Sequence, residues 1–547
     1  MKCPTCGGFL HFDIKSQMLK CNYCSNVFDP SEYDRDNGAQ ASLFEDSKIY
    51  ICTHCGAELY SMSENAAVYC SYCGSEAILS DRLQGDHKPQ LIIPFKFTKR
   101  RCINAYKKKI DNLLYVPDEL KDPKFIEKFR GIYIPYWMYN IKFRKEPIEF
   151  QAHKNYTSGG YDYRDKYRIV TQLDENGMYG FPNDASRNFD DKLSSNIAPY
   201  HSKDLREYKD GYLAGFYADA PNVESHIYTE DVVDMATEAA FDNIERQFGD
   251  VDIDLSGGIE AKKEALGTRF FSSNTVFLPV WFLTWKKKDR VAYSVVNGQT
   301  GKLHMDVPVD FRKFFLTTGV IAAIIFAILT LLFTPTSRFV LWFSTLILYL
   351  ISRSFMKELR EIRNRENHVF DKGYLLTGEP EDISMSQKKA ERIRENKKSG
   401  LSSAIKSCLA SSVFMIMFMS LVSGLLIPLI GIAYDLMTSQ YVTKVVTAFF
   451  TILNVVVFFK SYAAISYIKK KSSLVTILLS LIASLMCTVV AITAPVADIW
   501  YYSGGIFCLF ASVVIAVDLI SRYNELSTRA VPSFITRTGG KDNASDY

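Results

Sequence analysis

The chain has 547 residues, too many for one hydrophobic core, so a single-domain protein is excluded. Charged residues make up 23% of the chain and the formal net charge is only +4, but these charges are unevenly distributed. From Phe314 onward, long uncharged apolar segments alternate with short basic ones, which excludes a wholly soluble protein and predicts an integral membrane protein.

Four CxxC pairs near the start of the chain form two copies of one module. Each copy has 14 residues between its pairs, and the copies repeat at a period of 49 residues, with Gly7 and Gly56 at equivalent positions. A CxxC turn lets two thiolates bind one ion, and the spacer allows a β-hairpin that brings the second pair to that ion. The pattern predicts two tandem zinc ribbons, each holding one structural Zn²⁺. The predicted ligands are Cys3, Cys6, Cys21 and Cys24 in residues 1–30, and Cys52, Cys55, Cys70 and Cys73 in residues 49–80.

Disulfide bonds are the alternative explanation of these cysteines. No signal peptide precedes Cys3, so we expect the ribbons to lie in a reducing cytosol, where paired CxxC motifs bind metal. Four thiolates leave no coordination position for water or substrate, so the expected ions are structural and not catalytic. His54 lies inside the second ribbon's first pair and is expected to be an exposed turn residue, because the thiolates already satisfy the ion.

Residues 31–48 are predicted to be a linker, and residues 85–312 a folded cytosolic domain of the α+β class. Apolar residues at helical spacing alternate along the chain with aromatic and β-branched segments that are typical of strands. The predicted helices are 101–114, 118–129 and 231–248, and the predicted strands are 132–143, 161–172 and 276–285.

Two segments of this domain share the pattern Pro-x-Trp, at Pro135 and Trp137 and again at Pro279 and Trp281. Because proline cannot donate a ladder hydrogen bond, each is expected on an edge strand or at a first strand position. We interpret the tryptophans as core residues of a duplicated half-domain, and an aromatic ligand site is the alternative.

The segment 296–302 contains Gly-x-x-Gly-Lys but does not fit a Walker A motif. Walker A has four residues between its glycines and Ser or Thr after the lysine, whereas Leu303 follows Lys302 here. Asn-Gly turn chemistry predicts a hairpin at this place instead. The sequence therefore contains no Walker A motif that would support ATPase or helicase activity.

The C-terminal part predicts an all-α membrane domain of about six helices. The predicted spans are 314–333, 339–352, 407–434, 445–468, 472–497 and 499–520, with a transmembrane hairpin at 314–356, a basic cytosolic loop at 357–406, four spans within 407–521, and a cytosolic tail at 522–547. Residues 353–406 hold 13 Lys or Arg, whereas the opposite loops hold one of each. The positive-inside rule then predicts a multi-pass cell-membrane protein with both termini in the cytoplasm.

Lys460 and Asp518 are the charges that lie deeper than the ends of these spans. Snorkelling or a mutual ion pair explains both, and a transport relay is the alternative. The basic loop has two possible roles. It orients the protein in the membrane, and the alternative is that it also binds anionic lipid.

The four-cysteine ribbons, the Pro-x-Trp phrases, the segments 212–219 and 296–302, and the spans that follow resemble a bacterial family of membrane-anchored zinc-ribbon proteins. Members are often labelled transcription factor IIB-type zinc-ribbon proteins or relatives of the primosomal helicase PriA. The resemblance covers residues 1–333. It implies an anchor for envelope-stress machinery that recruits flotillin-like or phage-shock-type coat proteins, although six spans exceed what an anchor needs.

We therefore expect a non-enzymatic scaffold that recruits proteins to the cytoplasmic face of the membrane. One alternative is a membrane-tethered nucleic-acid binder, but residues 1–77 hold five Lys or Arg against ten Asp or Glu, the reverse of what phosphate contacts require. The other alternative is a transporter or channel with regulatory ribbons.

Overall fold

The computed structural model describes residues 2–36, 48–52, 58–61, 67–70, 72–73, 76–78, 89–173, 177–187, 189–219, 221–249, 251–287, 290–332, 336–369, 371–377, 439–468 and 471–530. These residues form a sheet-rich part followed by an all-helical part, so the protein is multidomain. The strands are β1 Leu10–Asp13, β2 Met18–Cys21, β3 Val27–Phe28, β4 Lys48–Ile51, β5 Glu58–Ser61, β6 Ala67–Tyr69, β7 Glu76–Ile78, β8 Leu91–Ile92, β9 Arg130–Lys142, β10 Ile148–Ser158, β11 Tyr161–Thr171, β12 Met178–Asp184, β13 Arg206–Glu207, β14 Tyr217–Asp219, β15 Asp252–Ile253, β16 Arg269–Lys287, β17 Arg290–Asn297, β18 Leu303–Met305 and β19 Arg529–Ala530. The helices are α1 Pro30–Asp36, α2 Lys99–Asp111, α3 Pro123–Ile126, α4 Asp191–Ile197, α5 Thr229–Gln247, α6 Gly258–Leu266, α7 Phe311–Leu332, α8 Ser337–Glu366, α9 Lys372–Leu376, α10 Gln440–Ile468, α11 Lys471–Thr493 and α12 Ile499–Leu526.

Most predicted elements of the central domain are present, with one exception. The segment 118–129 was expected to be one helix, but it divides into a short 3-10 turn at Asp118–Lys121 and α3. Asp122 is extended and its side chain accepts a hydrogen bond from the backbone N–H of Lys124. Pro123 restricts the residue before it to an extended conformation and starts a new helix, so the single-helix prediction is wrong.

A large mixed sheet forms the centre of the sheet-rich part. Eleven strands of the described chain belong to it, in the order β13-β8-β16-β9-β14-β5-β4 with β12, β17, β18 and β19 attached. Its two longest strands, β9 and β16, pair antiparallel from Arg130 opposite Phe282 to Lys142 opposite Arg269. The two Pro-x-Trp segments lie side by side in this pair, with Tyr133 opposite Pro279.

The prediction that the two prolines mark edge strands is wrong, because both lie in central strands. Each long strand changes its outer neighbour at its proline. Strand β9 pairs with β14 as far as Tyr133 and with β12 from Tyr136 onward, and β16 pairs with β8 as far as Phe277 and with β17 from Val280 onward. The missing proline N–H therefore falls between two partner strands, where no ladder hydrogen bond is needed.

Both tryptophans of these segments contribute to packing. The indole N–H of Trp137 donates to the backbone carbonyl of Val223 at 2.7 Å, and that of Trp281 donates to the carbonyl of Phe97 at 2.6 Å. Because their polar atoms are satisfied by backbone, the core interpretation fits better than a ligand site. The segment 296–302 is the predicted hairpin, since Val296 pairs with Leu303 across β17 and β18.

Four helices in the described part of the chain are long and apolar enough to cross a membrane: Ser337–Glu366, Gln440–Ser466, Ser473–Thr493 and Ile499–Leu526. They include the predicted second and sixth spans and overlap most of the fourth and fifth, whose predicted ends at 468 and 497 lie beyond these ranges. Helix α7 coincides with the predicted first span, and the predicted third span, 407–434, lies outside the described residues.

Helix α8 is longer than its predicted span. The sequence predicts a crossing at 339–352 and a loop from 357, but the helix continues to Glu366. Phe355, Leu359 and Ile362 are buried at helical spacing and extend its packing face. The basic residues after Arg353 therefore begin on a helix and not in a loop.

Candidate metal centres and the surfaces around them

The first cysteine cluster has the geometry of a closed metal site. Cys3, Cys6, Cys21 and Cys24 bring their sulfur atoms within 4.8 Å of one another. The Sγ atoms of Cys3 and Cys24 are 3.6 Å apart, and those of Cys6 and Cys21 are 3.5 Å apart. Thiolates bound tetrahedrally at about 2.3 Å would be separated by about 3.8 Å, whereas a disulfide needs about 2.05 Å. The cluster therefore fits one metal ion.

The local backbone explains how these thiols converge. Gly7 has a φ of +71°, which places it in the left-handed region that favours glycine. A Cβ added to Gly8 would lie 3.2 Å from the sulfur of Cys21 and 3.3 Å from that of Cys6. The two glycines therefore let the first CxxC turn close tightly against the second. The backbone N–H of Tyr23 also donates to the sulfur of Cys21 at 3.4 Å.

The turns lower the pKa of two thiols of this cluster and raise that of a third: at Cys6 the backbone N–H of Gly8 favours the thiolate, but burial and the thiols of Cys24, Cys21 and Cys3 outweigh it and raise the pKa to about 12. Burial opposes ionisation of Cys3, but the backbone N–H groups of Thr5 and Cys6 and the neighbouring thiols outweigh it and lower the pKa of Cys3 to about 6. The pKa of Cys21 is also lowered, first by the backbone N–H of Cys24. A metal ligand must be a thiolate, so the surroundings of Cys3 and Cys21 suit cation binding.

The second cluster contains three of its four predicted ligands. Cys52, Cys70 and Cys73 are buried with their sulfur atoms within 4.8 Å of one another, and those of Cys52 and Cys73 are 3.6 Å apart. Cys55 and His54 lie outside the described residues. The three described thiols lie within the same 4.8 Å of one another as those of the first cluster and can hold a metal ion.

The first ribbon packs directly against the central domain. Leu10, Phe12 and Leu19 are buried in the same core cluster as Tyr212 and Trp281. The ring of Phe12 lies edge-on to that of Tyr212 at 5.4 Å, and its backbone N–H donates to the carbonyl of Ala214 at 2.9 Å. The predicted separate module is therefore fixed to the domain by its hairpin.

The second ribbon is built into the sheet. Its strand β5 pairs with β14, so its hairpin extends the central sheet. Tyr72, between Cys70 and Cys73, is fully buried and its hydroxyl donates to Asp219 at 2.6 Å, while Tyr293 donates to the carbonyl of Tyr72 at 2.8 Å. Burial, and then the charge of Asp219, raise the pKa of Tyr72, so this phenol stays a neutral donor.

A projecting hairpin, formed by β10 and β11 and called the tyrosine arm below, was not expected to form a surface of its own. Gly159 and Gly160, with φ of +59° and +83°, form its turn. Its root is buried at Phe150 and Ile169, but every residue from Asn155 to Arg168 is exposed. The sequence marked β11 as a strand, but not its extension beyond the core.

Four tyrosines share one face of the tyrosine arm. Side chains alternate between the two faces of a strand, so positions separated by even numbers from Phe150 or Ile169 lie on the face that is buried at the root. These positions include Tyr156, Tyr161, Tyr163 and Tyr167. Tyr156 is opposite Tyr163, and their rings stack at 5.3 Å with a 13° interplanar angle. All four are exposed, and Tyr161 is 71% exposed.

The helical part is joined to the sheet by hydrogen bonds and ion pairs. Arg290 of β17 lies 3.1 Å from Glu366 at the end of α8 and donates to the carbonyl of Thr528 at 2.7 Å. Arg365 donates to the same carbonyl at 2.7 Å. Strand β19, which follows α12, pairs with β17. The sheet and the membrane-length helices are therefore held in one arrangement.

A second junction contains buried carboxyl groups. Asp184 and Asp191 share a hydrogen bond, Tyr228 donates to Asp191 at 3.2 Å, and the backbone N–H of Gly373 donates to Tyr228 at 2.9 Å. Burial first, and then the charge of Asp371, raise the pKa of Asp191 to about 6. Burial and the charge of Asp191 also raise the pKa of Asp184. This cluster links the sheet to the segment after α8.

The predicted ion pair between Lys460 and Asp518 is absent from the described residues. Asp518 binds Arg522 on its own helix at 3.2 Å, and Arg522 also contacts Glu525. Lys460 lies instead beside α8, close to Arg360.

The chain is 29% identical over 322 residues, which are 57% of this chain and 91% of the other, to the protein named uncharacterized protein YdjG from Bacillus subtilis (strain 168). No protein-family model and no solved structure matches the chain.

Proposed function

We propose that this protein is a non-enzymatic, membrane-anchored scaffold that recruits protein partners to the cytoplasmic face of a bacterial cell membrane. The observation that carries the proposal is the tyrosine arm. It presents four tyrosines on one face, outside the core, on a hairpin whose root is fixed in the domain. Tyrosine is enriched in protein interfaces because it has a large apolar area, a polar end and little rotamer entropy to lose.

The form of the tyrosine arm favours a macromolecular partner over a small ligand. Small molecules bind in concave sites that cover most of their surface, whereas the face of a projecting hairpin is open. Exposed aromatic side chains that share one face are expected where a second protein covers them. The opposite face is polar, with Thr157 donating to Asp162 across the strands at 2.7 Å.

The ions of this proposal are two structural Zn²⁺. The described donors are thiolates only, and tetrahedral all-sulfur sites are typical of zinc or iron–sulfur centres. Four thiolates in the first cluster complete the tetrahedron, which leaves folding as the role of the ion. In this account Zn²⁺ fixes the ribbons to the sheet.

The proposed orientation has six spans and both termini in the cytoplasm. Arg353, Lys357 and Arg360 lie on the part of α8 nearest the sheet, and basic residues beside a span favour the cytoplasmic side. The resemblance to envelope-stress anchors suggests flotillin-like or phage-shock-type coat proteins as partners. The excess of acidic residues in the ribbons makes nucleic acid the weaker candidate.

A binding experiment with the full chain in lipid nanodiscs tests this proposal. Purified flotillin-like and phage-shock-type proteins serve as probes, and bound fractions are measured against the variant Tyr156→Ser/Tyr161→Ser/Tyr163→Ser. The matched control is Thr157→Ala/Asp162→Ala, which changes a cross-strand pair on the opposite face. We expect a probe to bind the native chain and the control and to lose at least tenfold in affinity for the tyrosine variant, since interface tyrosines carry roughly 2 kcal/mol or more. Equal binding to all three proteins, or to none, would contradict the proposal.

A further inference from the structure

A cavity between two of the membrane-length helices has a distinct chemical character. It has a volume of about 700 Å³ and lies between α8 and α10. Four basic side chains line it: Arg353, Lys357, Arg360 and Lys460. We call it the basic cavity. It is separate from the cysteine clusters and from the tyrosine arm.

The positive charge of the basic cavity is only partly compensated, since four cations line it and Glu358, which interacts with Lys357, is not among its lining residues. Glu361 is the one carboxylate among its lining residues. Within the described parts of the chain, none of the four cations forms an ion pair, and Arg360 instead donates to the sulfur of Met356 at 3.3 Å. Lys460 and Arg360 are close enough to repel each other. Cations held together in this way favour an anion, and guanidinium groups bind phosphate oxygens with directed hydrogen bonds.

The rest of the lining is apolar. Leu350, Leu453, Val456 and Val457 complete the cavity beside the cations. Ile452 on the same helix is 64% exposed, as expected for a side chain that faces acyl chains. A ligand that fills this space must therefore have a charged end and an apolar end.

The cavity lies where α8 passes from its apolar segment into its basic one. Arg353 is the first charged residue after the uncharged stretch 339–352, and Arg290 of the sheet meets the helix end at Glu366. In a membrane this level corresponds to the headgroup region on the side of the sheet domain. The position of the basic cavity in the membrane does not depend on which proteins the tyrosine arm binds.

We propose that the basic cavity binds an anionic phospholipid, with the phosphate between Arg360 and Lys460 and the first part of an acyl chain against the leucine and valine side chains. Free phosphate shares the headgroup chemistry, but it would leave the apolar lining unfilled. The lipid therefore accounts for both parts of the cavity. Because α8 continues directly to the sheet domain, this site also places a lipid contact beside the domain junction.

Native mass spectrometry of the full chain in detergent tests this inference. Phosphatidylglycerol and phosphatidylcholine with identical acyl chains are titrated separately, and the bound fractions give a preference for the anionic lipid. The test variant is Arg360→Gln/Lys460→Gln, and the matched control is Arg338→Gln/Lys444→Gln, which removes one charge from the opposite end of each of the same helices. Lys357→Gln, at an exposed cavity residue, replaces the double variant if that protein fails to fold.

We expect the native chain and the control to prefer phosphatidylglycerol, and the double variant to lose roughly tenfold or more of that preference, because each basic group near a lipid surface contributes to anion binding. The single variant should lose part of it. Equal binding of both lipids by the native chain, or an equal loss in the control, would overturn the inference. Displacement of phosphatidylglycerol by inorganic phosphate would overturn it in favour of a free-anion site.

Discussion

The two ribbons have the same cysteine spacing but differ in how their second CxxC turns meet the rest of the protein. Tyr23, between Cys21 and Cys24, is 85% exposed, whereas Tyr72, at the equivalent position between Cys70 and Cys73, has no exposed surface. The first ribbon contacts the domain through its hairpin and through Pro30, which lies against Gly211, whereas the second uses both its hairpin and this turn. Two motifs with the same cysteine spacing can therefore contribute differently to the stability of the domain. The difference depends on whether the residue between the cysteines is buried against the domain or exposed.

The largest expected effect is loss of metal from the second ribbon. In Cys73→Ser the turn that holds Tyr72 against the sheet loses a ligand, and structural Zn²⁺ contributes on the order of 10 kcal/mol to folding, as much as a domain's whole stability. We expect fast hydrogen exchange in β16 and β17 and one Zn²⁺ per chain. Cys24→Ser, the equivalent change in the first ribbon, should also leave one Zn²⁺ but keep those strands protected. Similar exchange in both variants would show that the ribbons are equivalent.

The two tyrosines provide a milder comparison. Tyr72→Phe removes a buried hydroxyl that donates to Asp219, so the free energy of unfolding should fall by about 1–3 kcal/mol. Tyr23→Phe changes an exposed side chain and should alter it by less than about 0.5 kcal/mol. Denaturant unfolding of the full chain in detergent measures both. A Tyr72→Phe protein as stable as the native one would argue against a stabilising contact between this CxxC turn and the sheet.

The carboxyl cluster beside this docked region should make stability depend on pH. Because the pKa of Asp191 is about 6 in the folded protein and 3.8 ordinarily, the folded state holds its proton more tightly. The stability that protonated Asp191 contributes is therefore greatest below pH 3.8 and is lost as the pH rises through about 6. The melting temperature of the native chain, compared with Asp191→Asn, should fall by a few degrees between acidic and neutral pH. Asp242→Asn, an exposed aspartate on α5, is the control, and the same pH profile for both variants would refute the assignment.

The smallest expected effect is at the first turn of the first ribbon. Gly8→Ala places a Cβ 3.0 Å from the Cβ of Tyr23 and 3.2 Å from the sulfur of Cys21, so metal affinity should fall roughly tenfold while the sheet stays protected. Gly249→Ala, where the nearest contact would be an ordinary 3.6 Å, is the matched control. A chelator competition measures the affinities. An unchanged affinity would indicate that the turn has room to relax.

The sequence predicted local features well, because they depend on neighbouring residues. Cysteine spacing predicted which thiols converge in the described clusters, and apolar runs predicted the positions of the four membrane-length helices. Long-range pairing was not predictable in the same way. Tyr72 meets Asp219 and Tyr293 only after the chain has passed through 147 and 221 further residues.

The features that the sequence did not predict correctly have one physical cause: each depends on residues far away in the chain. Nothing local to Pro135 or Pro279 indicates that β9 and β16 change neighbours there, because those neighbours come from elsewhere in the chain. The tyrosine arm likewise has the alternation of an ordinary strand, and its exposure is decided by where the core ends. Burial of α8 beyond its apolar run depends on packing against other helices.

Site-specific photo-cross-linking in intact membranes tests the scaffold account most directly. A photoreactive residue replaces Tyr163 on the tyrosine face in one chain and Asp162 on the polar face in another, and the products are compared with those from chains that also carry Tyr156→Ser. The account predicts a discrete protein adduct at position 163 that weakens with Tyr156→Ser, is absent at position 162, and contains a protein that binds the purified full chain. Adducts of equal yield at both positions, or only lipid or nucleic-acid adducts at position 163, would contradict it.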